Sequence, residues 1–275
     1  MLCRTPVRYS IHYLCNVNNT PLRIRDVTIL PVVYVMERTT SPFQNIKILV
    51  NIIQFIPLTD LLKKIPFVST AFSAALLHPN AVVTLRFSCF PSFQVNDAFI
   101  SRLLPEIPGY PQKLDFSYCP RISDKSVEST LAKFPQVYSI NLEGNVSNLS
   151  NLALESIARH CKDLRELNIG GCLRISLTGL ADLAKSCTSI SNLALKGIGC
   201  VDEAVITLIC SKFSLTALNL NGCCALSDVS LGIIASKLAH CLEELDIGYC
   251  DELTDFGISK LAACAELRKV FDSVI

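Results

Sequence analysis

Leu164-Arg-Glu-Leu167-Asn-Ile169-Gly-Gly-Cys172 and Leu242-Glu-Glu-Leu245-Asp-Ile247-Gly-Tyr-Cys250 are two copies of one pattern, apolar at the first, fourth and sixth places and ending in a thiol. With the fourth place as anchor, the same register falls on Leu85, Leu114, Ile140, Leu167, Leu193, Leu218 and Leu245, in steps of 29, 26, 27, 26, 25 and 27 residues. Around each anchor apolar and polar residues alternate, as in Ile140-Asn-Leu142 and Leu218-Asn-Leu220, which predicts a short strand with one buried face.

Working outward, each strand is followed by a turn and then by apolar residues at helical spacing. Ile122-Ser-Asp124 leads into Val127 and Leu131, Leu226-Ser-Asp228 into Leu231 and Ile234, and Leu253-Thr-Asp255 into Ile258 and Leu261. The acid falls where the helix begins, where it is expected to accept orphan backbone N–H groups and to complement the positive end of the dipole. Ile175-Ser-Leu-Thr178 lacks it. One strand and one helix cannot bury their apolar faces alone, so the units must stack, strands inside an arc and helices outside. An eighth strand begins near Leu267 and Val270, where either side-chain packing closes the sheet or the array is cut short.

This pattern resembles the cysteine-containing class of leucine-rich repeats. The resemblance covers residues 83–275 and implies an α/β solenoid, with a curved parallel sheet inside and helices outside.

The chain's cysteines recur at two places, after the strand (Cys119, Cys172, Cys223, Cys250) and at the helix end (Cys161, Cys187, Cys241, Cys264). A thiol reused at equivalent points reads as a small buried packing residue, not as a zinc ligand, which would call for converging pairs; no C-x-x-C occurs. His160 and His240 precede Cys161 and Cys241, but adjacent side chains on a helix end point apart and no third orienting group can be named, so no catalytic residue is assigned. No phosphate-cradling glycine loop, G-x-S-x-G or H-E-x-x-H is present. No catalysis, cofactor or metal is expected.

Of 275 residues, half are apolar, enough for a sizeable core, and 25 Lys and Arg stand against 24 Asp and Glu with no block of one sign. Nucleic acid is thereby disfavoured as a partner. No apolar run suggests a signal peptide, and Val27–Val35 is too short to span a bilayer, so a reducing cytoplasmic or nuclear setting without membrane is expected. The triplets at Asn18, Asn145 and Asn148 then read as chance matches to the glycosylation pattern. Residues 1–41, with Arg4, Arg8, Arg23, Arg25 and Arg38 against Asp26 and Glu37, read as an extension that is disordered or follows a misplaced start.

Residues 42–82 carry no repeat. Pro57 ends a first short helix, Thr59 caps a second with Asp60 in its first turn, and Pro66 separates a third that runs to about Leu77. The segment resembles an F-box, with Phe55, Ile56, Pro57, Leu58, Asp60, Leu61, Val68 and Phe72 at the corresponding places. Ser69 and Phe72 stand where Cys and Trp are usual, and Asn45-Ile-Lys-Ile48 where Leu-Pro is. The resemblance implies that Phe55, Pro57, Leu58, Leu61, Val68 and Phe72 dock on an SKP-family adaptor and through it on a cullin.

Outward positions on the strands are Arg86, Asp115, Ser117, Asn141, Glu143, Asn168, Lys196, Asn219, Asn221 and Asp246. Short, mixed-charge groups with Gly170 and Gly248 between them suit a protein surface better than a small-molecule pocket. The expected function is a substrate receptor of an SKP-cullin-F-box ubiquitin ligase that recruits a protein target through the arc for degradation. The alternative is a stand-alone repeat scaffold whose residues 42–82 only cap the solenoid.

Overall fold

The computed structural model describes residues 84–107 and 110–272. Eight strands form one parallel sheet in strict sequence order: β1 (Thr84–Arg86), β2 (Lys113–Asp115), β3 (Ser139–Asn141), β4 (Glu166–Asn168), β5 (Asn192–Ala194), β6 (Ala217–Asn219), β7 (Glu244–Asp246) and β8 (Lys269–Phe271). The register pairs the sequence anchors one to one, Leu85 with Leu114, then Ile140, Leu167, Leu193, Leu218, Leu245 and finally Val270.

Between the strands run α1 (Asp97–Leu103), α2 (Asp124–Lys133), α3 (Asn151–His160), α4 (Leu177–Ser186), α5 (Glu203–Lys212), α6 (Asp228–Lys237) and α7 (Asp255–Lys260). Short 3₁₀ turns at Leu104–Glu106 and Leu261–Ala263 extend the first and last. Each helix packs on the next. Strands repeat every ~4.8 Å and packed helices every ~8–10 Å, so the two layers match only if the array bends with its strands on the short inner arc. The α/β repeat solenoid expected from the sequence is the fold found.

The core lies between these layers. The anchor and the residue two later are at most 2% exposed in the first seven repeats, and residues from Leu85 to Cys264 form one continuous apolar cluster. Phe87 and Phe116 stack at 4.4 Å near its start.

The helix starts differ from the sequence expectation in one respect. The caps are Ser123, Ser150, Ser227 and Thr254, whose hydroxyls accept backbone N–H bonds from their own helices. The acid that follows reaches sideways to the next repeat's cap. Asp97 accepts from Ser123 N and Oγ (2.8 and 2.7 Å), Asp124 from Ser150 (2.8 and 2.7 Å), and Asp228 from Thr254 (2.9 and 2.6 Å). Asn151 does the same to Ser176 N at 3.0 Å. A residue in the first turn is already past the cap geometry, so its carboxylate is free to tie one repeat to its neighbour while still facing the helix dipole.

Candidate protein-binding face

Three side chains per repeat look inward from the sheet: the residue before the anchor, the one after it, and the one three after it. The middle row serves the backbone first. Asp115 Oδ1 accepts from Ser117 N (2.9 Å), Asn141 Oδ1 from Glu143 N (3.0 Å), Asn168 Oδ1 from Gly170 N (2.9 Å), Asn219 Oδ1 from Asn221 N (3.0 Å) and Asp246 Oδ1 from Gly248 N (3.1 Å). These Asx turns end five of the strands at their third residue and steer the chain out of the sheet. The sequence identifies these residues as candidate contacts, and they hold that face's shape as well.

The remaining capacity is shared across strands. Asn168 Nδ2 donates to Glu143 Oε2 (3.1 Å), and Asn219 and Asn221 both donate to Asp246 (3.0 and 3.1 Å). Arg86 lies 3.4 Å from Asp115, whose other oxygen binds the Ser117 hydroxyl; Ser117 is itself buried. Lys196 stands apart on the fifth repeat. It is exposed, Gly170 and Ala194 lie beside it, and no carboxylate among the described residues pairs with it.

Sequence reasoning missed the row before the anchor. There Lys113 pairs with Glu166 across two strands (3.2 Å), Ser139 donates to the same carboxylate (2.7 Å), and Lys269 pairs with Glu244. Alternation around the anchors was the available signal. With Ala194 and Ala217 small at its centre, the face holds an open concavity of about 360 Å³ over the strands from β3 to β8.

Two tyrosines were also missed. Four residues after the anchor the chain takes a left-handed turn, at Gly144, Gly171, Gly197 and Gly222 with φ from +66° to +77°. Tyr118 (φ +54°) and Tyr249 (φ +58°) hold the same place in the second and seventh repeats. Both are exposed, and Tyr118 OH donates to Glu143 Oε1 at 3.0 Å. Hydrogen-bonding to that carboxylate raises the Tyr118 pKa. A Cβ on Gly144 would strike the Tyr118 ring.

The buried thiols are not poised for chemistry. Burial pushes Cys119, Cys161, Cys210 and Cys223 up to about 12, and Cys172 and Cys187 up to about 11. Their S–H groups serve neighbouring repeats instead: Cys172 Sγ donates to Leu142 O, Cys223 to Leu195 O and Cys250 to Leu220 O, each at 3.3 Å. His160 is engaged with Glu128 Oε1 at 3.0 Å. Among the described residues no three His, Cys, Asp or Glu converge as a metal site, and no helix is long and apolar enough to cross a membrane.

A family model described as "Leucine Rich repeat" matches residues 239–262, from just after α6 through β7 to just past α7. The repeat around β7 thus matches a leucine-rich repeat, and the other repeats share its strand register. The chain is similar to F-box/leucine-rich-repeat proteins. It is 27% identical over 136 residues to F-box/LRR-repeat protein 4 of Bos taurus, covering 48% of this chain and 22% of that protein. It is 28% identical over 145 residues to the SCF E3 ubiquitin ligase complex F-box protein pof2 of Schizosaccharomyces pombe, covering 52% of this chain and 31% of that protein. The chain thus spans less than a third of the length of these curated relatives. Among solved structures, the yeast Rad7 and Elc1 complex aligns with a TM-score of 0.48 at 16% identity, over 61% of this chain and 50% of that one. Residues 42–82, with Phe55, Pro57, Leu58, Leu61, Val68 and Phe72, lie outside the described residues.

Proposed function

We propose that the chain is the substrate-recognition subunit of an SKP-cullin-F-box type ubiquitin ligase, acting in the cytoplasm, the nucleus or both. Residues 42–82 would hold the SKP-family adaptor, with the cullin beyond it. The inner face would recruit a protein for ubiquitination and degradation. The chain would do no chemistry itself and would need no cofactor.

The observation that carries this reading is the similarity of a repeat solenoid to two F-box proteins, one of them named as part of an SCF ligase, in a chain whose sequence before the repeats resembles an F-box. The inner face supports the recruiting half. It is broad and open, with several side chains held in place by Asx turns, as a protein surface is and an enclosed ligand pocket is not.

Co-purification of the full chain with an SKP adaptor tests the reading. Binding that is lost in Leu61→Asp and Phe72→Asp, with the repeats still folded, is the expected result. No binding by the unaltered, folded chain would sink the ligase reading and leave a stand-alone scaffold, in which case deleting residues 42–82 should unfold or aggregate the repeats.

A further inference from the structure

Tyr118 and Tyr249 occupy a left-handed turn that four sibling repeats give to glycine. A side chain raises the energy of that conformation, so a large residue kept there points to a use outside the fold. Neither ring is spent on the core: Tyr118 is 61% and Tyr249 58% exposed. Tyrosine is also among the side chains enriched as anchors of protein contacts, because it offers a large rigid surface with few torsions to freeze.

Between the two lies Lys196. Two acidic groups of the same face are turned elsewhere, Glu143 toward Tyr118 OH and Asn168 Nδ2, and Asp246 toward Asn219 and Asn221. With Gly170 and Ala194 as its small neighbours, the lysine is left with an open cationic position at the middle of the face.

We propose that Tyr118 and Tyr249 anchor the two ends of an extended acidic segment of the recruited protein, which crosses the strands and seats one carboxylate on Lys196. The proposal rests on the recruiting role of the inner face and not on the adaptor. Five strand steps separate the tyrosines, about 24 Å at ~4.8 Å per step, which an extended chain spans in about seven residues. Lys196 stands three steps from Tyr118 and two from Tyr249. The segment therefore carries an acidic residue with apolar residues about four places to one side and about three to the other. A carboxylate meeting an unpaired lysine adds specificity, and the apolar ends lie on the tyrosine rings.

Selection of displayed random peptides of about twelve residues on the full chain provides the probe. Enrichment of an acidic residue flanked by apolar ones at that spacing is expected. Tyr118→Gly and Tyr249→Gly should each weaken a selected synthetic peptide by at least about tenfold in fluorescence anisotropy. Selection on Lys196→Glu should replace the carboxylate with Lys or Arg. Tyr249→Gly should also raise the melting temperature, an effect opposite to that of losing a structural side chain. Peptides without the acidic position, peptides indifferent to all three changes, or a Tyr249→Gly chain that melts lower would each overturn the proposal. Adaptor co-purification is a separate measurement that these substitutions leave unchanged, so its failure counts against the ligase reading alone.

Discussion

Five residues after each anchor, Phe90, Cys119, Asn145, Cys172, Ile198, Cys223 and Cys250 fill equivalent places beneath the turn. Where that residue is cysteine, recurrence in the sequence identifies a packing role, and the structure adds what recurrence could not: three of the four thiols donate to a carbonyl of the preceding repeat. The acceptor lies 28 to 30 residues away and no local pattern points to it. Asn145 does the same work more strongly, its Nδ2 donating to Phe116 O at 2.9 Å and Leu142 O at 2.8 Å while fully buried. Its Oδ1 finds no partner, so part of that gain is offset by an unmet acceptor. Asn145→Ala should therefore cost about 2 kcal/mol, because it strands Phe116 O and leaves Leu142 O with the Cys172 thiol alone, and Cys172→Ala about 1 kcal/mol, because a thiol is the weaker donor. Urea titration of both variants checks the order. Equal losses would mean that volume, not hydrogen bonding, sets the value of this place.

At the scale of the helix, the start was legible in Ser-Asp and Thr-Asp, but the acid's partner was not, because it belongs to the next repeat. The carboxylates' environments make this an acid-sensitive tie. Burial pushes Asp97 up, yet hydrogen bonds from Ser126 and Ser123 outweigh it and hold its pKa below the ordinary 3.8. Hydrogen bonds from Thr254 likewise lower Asp228. On the neighbouring helix pair, Ser156, His160 and Arg159 hold Glu128 down to about 2 from 4.5. Groups with depressed folded pKa values stabilise above their unfolded values and lose that contribution as pH falls through the folded ones. The melting temperature should thus be level down to about pH 4.5 and fall from there toward about pH 2, with Asp97→Asn flattening part of the fall. A decline that begins between pH 7 and 5 would mean that these carboxylates do not set the acid limit. Gly257 gives an independent check, since a Cβ there would overlap the Asp228 carboxylate and its neighbouring backbone. Gly257→Ala should cost roughly 1–3 kcal/mol, although alanine is the better helix former.

Across the whole molecule, the spacing of seven anchors was enough to fix strand order and register, because a solenoid unit meets only its neighbours and each anchor must align with the next. The spacing could not show how strongly each pair of repeats is joined. By side-chain hydrogen bonds, the fourth and fifth are joined least among the seven helix-bearing repeats. Leu177 replaces the acid of the first helical turn, Asp202 caps its own helix in place of the serine that would receive that acid, Ile198 lacks the donor found in its sibling cysteines, and Ala194 interrupts the Asx row. Side-chain hydrogen bonds across this seam reduce to Cys200 Sγ to Ile175 O at 3.3 Å and Ser191 Oγ to Arg165 O at 3.4 Å. In a linear array, stability is a sum of unit terms and nearest-neighbour terms, so the weakest junction is where cooperativity divides. Hydrogen exchange followed by mass spectrometry should resolve two protection units, one ending near α4 and one beginning at α5. Asp124→Ala removes a tie between the second and third repeats and should lower protection from β2 through α4 by about 1–2 kcal/mol while leaving α5 to α7 unchanged. An equal loss of protection at both ends would show that the backbone ladder and the apolar core alone make the solenoid one cooperative body, with the side-chain ties contributing nothing to its division.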